Sequence, residues 1–142
     1  MTTLTLEDVA VSRGVGPVIA GVSLEVAPAT VTTIIGPNGA GKTSLLEAVS
    51  GMIPISGGRL LIDGEDVGKA PPRRRAKLGL SHVEQGRAIF PSLTVRENIE
   101  LTARTRADFD EALALFPELE KRLGSATALL SGGEQQMVVL AR

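Results

Sequence analysis

The sequence predicts an α/β fold, with antiparallel β structure early in the chain and helices later. Three observations point there. Apolar residues alternate at period two near the N-terminus, as in Leu4, Leu6, Val9 and Val11. A β-branched run, Thr30 to Ile35, meets a glycine-rich break and then a helical stretch. Beyond Thr94 the apolar spacing becomes helical, with Phe109, Ala112, Leu113 and Phe116 on one face.

Composition narrows the function classes. The 142 residues are 43% apolar and only 2% aromatic, enough aliphatic surface for one core and too much for a disordered chain. No run approaches the roughly 20 apolar residues of a membrane span. Glu7 and Asp8 precede the first cation, Arg13, so the N-terminus lacks a secretory pattern. With no cysteine, a disulfide framework is excluded and a cytoplasmic setting expected. A net charge of −1 supplies no field to draw the chain onto nucleic acid, so none is expected as a partner.

The elements follow in order. Residues 3–11 read as a half-buried strand, Gly14, Gly16 and Pro17 as a loop, and Val22, Leu24 and Val26 as a second strand ending at Pro28. Thr30 to Ile35 reads as a buried strand. Lys42 to Val49 reads as a helix closed by Gly51. Asp63-Gly64, between Arg59–Ile62 and Glu65–Val67, is a hairpin signal. Arg73-Arg74-Arg75 reads as a solvated face, because a charge run without aromatic residues is weak evidence for binding. Leu78 to Val83 is a further strand candidate that would carry His82, the only histidine. Pro117 starts a short helix that Gly124 can close.

Gly36-Pro37-Asn38-Gly39-Ala40-Gly41-Lys42-Thr43 matches G-x-x-x-x-G-K-[ST]. Glycines let successive backbone N–H groups converge into an anion-binding nest, and the next helix aims its positive end at the same phosphates. Lys42 would reach the β- and γ-phosphates, the Thr43 hydroxyl would hold Mg²⁺, and Ser44 completes the nucleotide-binding candidates. A second string, Leu130-Ser131-Gly132-Gly133-Glu134-Gln135, contains a capping box with Ser131 at the N-cap and Glu134 three residues on. Gly132 and Gly133 leave that first turn bare, open to a phosphate.

These motifs together resemble the ABC ATPases, and the resemblance runs from Leu4 to Arg142. It implies a P-loop core with an antiparallel β subdomain and a helical subdomain. The expected division is 1–90 for β plus core, 91–130 for the helical part and 131–142 for the start of the signature helix. It implies that the signature closes over ATP held by a second subunit, and that Gln85, the Q-loop glutamine, contacts Mg²⁺ and senses the membrane partner. The run from Gln85 to Asn98, with Leu115-Phe116-Pro117 and Met137 after the signature, is similar to LivF-type subunits of branched-chain amino acid importers. Urea and amide importers share much of this pattern, and soluble non-transport ABC ATPases share the three motifs. As an importer subunit it would bind ATP and Mg²⁺, pair with a second ATP-binding subunit and dock on two transmembrane permease subunits. Its place would be peripheral, on the cytoplasmic face of the bacterial inner membrane.

Two departures bear on chemistry. The position where the family stacks adenine on an aromatic ring corresponds to Arg13, whose guanidinium plane can also stack on a base. Leu60-Leu61-Ile62-Asp63 mimics a Walker B strand but precedes the Q-loop and is followed by Gly64, so the hairpin reading is preferred. The resemblance further implies a Walker B Asp, a water-polarising Glu and a switch His, none of which matches a residue here. The expectation is therefore an N-terminal part of a larger ATPase, ending inside the signature helix, that binds ATP without hydrolysing it.

Overall fold

The computed structural model describes residues 2–14, 16–84 and 89–142. It forms two compact units, Met1–His82 and Val83–Arg142.

In the first unit, β1 (Leu4–Arg13), β2 (Gly16–Val26), β3 (Gly57–Ile62) and the short β4 (Glu65–Asp66) form one antiparallel sheet in the order β2-β1-β3-β4. β1 and β2 pair as far as Arg13 opposite Gly16, so Gly16 and Pro17 belong to the strand rather than to the expected loop. The hairpin at Asp63-Gly64 joins β3 to β4 as anticipated. Leu6, Val9, Val11, Ile19, Leu60 and Ile62 form one side of the core. Helix α1 (Lys42–Ser50) lays Leu45, Ala48 and Val49 against it.

Two expected strands are absent. Residues 30–35 join no sheet, and Val31 and Ile35 stand 95% and 87% exposed. A β-branched run becomes a buried parallel strand only when neighbouring strands supply its hydrogen bonds and layers cover both faces. Among the described residues none does so. Leu78 to Val83 likewise forms no ladder: Leu78 caps the short helix α2 (Pro72–Lys77), a turn follows at Gly79, and His82 is half-buried irregular backbone.

The expectation of a solvated arginine run fails for one of the three. Arg73 is exposed and Arg74 pairs with Glu65, but Arg75 is 1% exposed. Its guanidinium donates to four backbone carbonyls, those of Ala48, Val49, Gly68 and Ala70. On a six-residue helix one face turns inward, and a planar fork of donors suits helix-end carbonyls such as those of Ala48 and Val49. Burial lowers the pKa of Arg75, yet a guanidinium keeps its charge.

In the second unit, α3 (Val95–Glu100), α4 (Arg106–Leu115) and α5 (Gly132–Ala141) pack around Val95, Ile99, Phe109, Leu113, Leu119 and Val138. Each helix begins with a full capping box, Thr94 with Glu97, Thr105 with Asp108, and Ser131 with Glu134. Pro117–Arg122 is a 3₁₀ segment. Among the described residues, no helix is long and apolar enough to cross a membrane.

Candidate functional site

Val18 and Ile19 of β2 lie against Gly41, the residue at which α1 leaves the phosphate loop. Gly39 and Gly41 both adopt φ +86°, and Gly41 is the N-cap of α1. At Gly41 the requirement for glycine is twofold. A Cβ there would sit in the left-handed region, and it would lie 2.5 Å from Ile19 Cδ1 and 3.0 Å from the Val18 carbonyl oxygen. The loop closes on itself through Ala40 N–H to Pro37 O at 3.2 Å, and α1 begins with Leu45 N–H to Gly41 O at 2.9 Å.

Lys42 folds back over this loop. Its Nζ donates to the carbonyls of Gly36 and Pro37, both at 2.7 Å, and no carboxylate among the described residues pairs with it. No side chain caps the first turn of α1, and that turn holds no acid. A Cβ built at Gly39 meets nothing within 4 Å, so the loop is open there. An uncapped helix start, an open glycine loop and a lysine held only by carbonyls fit a polyphosphate. Thr43 is exposed in the first turn, and Ser44 beside it is buried. Among the described residues no three acids, histidines or cysteines cluster to hold a metal. In a phosphate loop of this pattern the Ser/Thr after the lysine is the residue that would hold Mg²⁺, and here it is Thr43.

Arg13, the candidate adenine contact, ends β1 and forms an ion pair with Glu47 of α1. Gln85, Gly86, Arg87 and Ala88 fall outside the described residues, so the Q-loop expectation lies outside them too.

The signature motif sits in the second unit. Ser131 Oγ accepts from Glu134 N–H at 3.3 Å, and Ser131 N–H donates to Glu134 Oε2 at 2.8 Å. Arg122 pairs with the same carboxylate at 2.9 Å. The backbone and hydroxyl of Ser131, then Arg122, hold the Glu134 carboxyl below its ordinary pKa. Gly132 and Gly133 are exposed, and a Cβ at Gly133 meets nothing within 4 Å. Leu130 is buried beneath the turn, and Gln135 ties the new helix back to the carbonyls of Thr127 and Leu130 at 3.1 and 3.3 Å.

Sequence reasoning missed Asn98 and Thr127, both fully buried. Asn98 Oδ1 accepts from Phe90 N–H at 3.0 Å, and its Nδ2 donates to the carbonyls of Phe90, Leu93 and Thr94. The Thr127 hydroxyl donates to Phe90 O at 2.8 Å. Together they fix the backbone that follows the Q-loop position against the segment leading into the signature. An Asn three residues into a capped helix, facing the apolar side, was the available signal.

The family model described as ABC transporter matches residues 19–142. A probable branched-chain amino acid transport ATP-binding protein LivF of Archaeoglobus fulgidus is 36% identical over 118 residues, covering 79% of this chain and 50% of that protein. The lipopolysaccharide export system ATP-binding protein LptB of Haemophilus influenzae is 36% identical over 153 aligned positions, covering 100% and 62%. An ATP-binding cassette of an ABC transporter, solved in its ADP conformation, superposes with TM-score 0.83 at 24% identity, covering 100% of this chain and 64% of that one. At that identity the superposition speaks for the fold, a P-loop α/β core with an antiparallel sheet and helical elements. The chain spans half to just under two thirds of the length of these three relatives. The sequence match and the phosphate loop agree: the chain belongs to the ABC transporter family.

Proposed function

We propose that this chain supplies the phosphate-gripping part of an ATP-binding subunit that couples ATP binding and hydrolysis to the import of branched-chain amino acids. The observation that carries the reading is the phosphate loop, where Lys42 rests on two loop carbonyls beside an uncapped α1 N-terminus. The backbone of Gly36–Gly41 and the start of α1 take the phosphates, Lys42 turns from its carbonyls to the β- and γ-oxygens, and Thr43 and Gln85 hold Mg²⁺. Arg13 stacks on the base once it leaves Glu47. Ser131, Gly132 and Gly133 offer N–H groups to ATP on a second ATP-binding subunit. Two transmembrane permease subunits complete the assembly, with this subunit on the cytoplasmic face. The substrate rests on the resemblance of Gln85–Asn98 to LivF-type subunits and on the LivF relative.

Titration of the chain with MgATP tests the site. Lys42→Ala should weaken binding by about 10- to 100-fold, the worth of a charge-assisted hydrogen bond. Equal affinity for both proteins refutes the site. These residues bind without turnover, so phosphate release above the Lys42→Ala background would refute that part. Deleting the gene should lower leucine uptake and leave urea uptake unchanged; the reverse pattern would assign the subunit to a urea importer.

A further inference from the structure

We propose that Arg75 is a positioning residue for the phosphate site, setting from the far end of α1 the direction in which that helix presents Lys42. The inference rests on the phosphate-site reading above. Arg75 is buried at 1% exposure, and no carboxylate among the described residues pairs with it. A buried cation without a counter-charge is costly unless other groups stabilise it. Here Nη1 takes the Ala48 and Val49 carbonyls at 2.6 and 2.7 Å, in the last turn of α1. That end carries the negative pole of the helix, and α1 has no basic residue of its own there. The same guanidinium holds Gly68 O through Nη2 at 3.1 Å and Ala70 O through Nε at 3.0 Å. One side chain thus ties the end of α1 to the segment beyond β4 and to α2.

Gly51 shows that the approach is built in. It ends α1 at φ +83°, and a Cβ there would lie 3.0 Å from both Cζ and Nε of Arg75. Helix α1 has nine residues, a rod about 13 Å long, and its buried Leu45 sits near the middle. Ala48 and Val49 are packed in the core with Leu45, so a shift of that end carries along the rod to Lys42 and Thr43. Lysine, a single ammonium on a flexible stem, cannot span four carbonyls on two sides.

The test titrates wild type, Arg75→Lys and Arg75→Met with MgATP and with magnesium pyrophosphate, which reads the phosphate loop alone. Each is measured well below its own Tm, with far-UV circular dichroism matching wild type. Arg75→Met should bind both ligands about 10- to 100-fold more weakly, the scale of an ångström-sized misplacement, and Arg75→Lys should recover part of the loss. A lowered Tm with both affinities within about twofold of wild type would overturn the proposal, leaving Arg75 a purely structural residue. If Arg75→Met does not fold, Arg75→Lys decides by the same criterion. If wild type binds MgATP no better than Lys42→Ala, the phosphate-site reading itself fails, and the proposal with it.

Discussion

Asn98 gives the sharpest stability prediction in the second unit. Its amide orientation is settled by its neighbours, because Oδ1 faces the Phe90 N–H at 3.0 Å and Nδ2 faces three carbonyls at 3.0–3.3 Å. With two N–H donors and the single bond that Oδ1 accepts, Asn98 makes at most three good bonds here, each worth about 1 kcal/mol net. In Asn98→Ala the Phe90 carbonyl keeps the Thr127 hydroxyl at 2.8 Å, the Leu93 carbonyl keeps the Thr127 N–H at 2.9 Å, and Thr94 O keeps the residue-98 backbone N–H at 3.0 Å. Only the Phe90 N–H loses its partner, so the expected loss is about 2–3 kcal/mol. Asn98→Asp should cost more, about 3–5 kcal/mol, because a buried carboxylate replaces the amide donors facing those carbonyls. Urea denaturation followed by far-UV circular dichroism measures both; at a slope of about 1.5 kcal/mol per molar, Asn98→Ala lowers the midpoint by about 1.3–2 M. An Asp variant as stable as the Ala variant would refute the reasoning, since it would mean the amide donors contribute nothing.

Two further perturbations are expected to read out cleanly. Gly41→Ala combines the left-handed penalty, about 1–2 kcal/mol, with overpacking against Ile19 and Val18 of about 1–3 kcal/mol. Gly39→Ala, at the same φ with open space around it, should show only the first contribution, so equal midpoints for the two would refute the clash. The capping acids Glu97, Asp108 and Glu134 have folded-state pKa values below their ordinary ones, each led by a hydrogen bond from backbone N–H, of Thr94, Arg104 and Ser131 respectively. Their stabilisation is therefore complete above the unfolded carboxylate range, about pH 4, and is lost as pH falls through the depressed values. Acid titration of helicity should be shallower in the Glu97→Gln, Asp108→Asn, Glu134→Gln triple variant; an unchanged acid limb would count against the caps.

The parts readable in advance are those written within a few residues. The phosphate loop, the Ser131–Glu134 box and the Asp63-Gly64 hairpin each depend on neighbours three to eight positions apart, where local geometry leaves few options. Order of motifs was likewise enough to place the chain among the ABC ATPases. What only the tertiary structure decided depends on groups far along the chain. Arg75 looks like its neighbours in the sequence, and only carbonyls 26 and 27 residues away distinguish it. The Arg13–Glu47 pair and the Asn98–Thr127 cluster have the same character. The strand predicted over residues 30–35 failed for the complementary reason: strand propensity sets a preference, but a ladder needs partner strands to receive it.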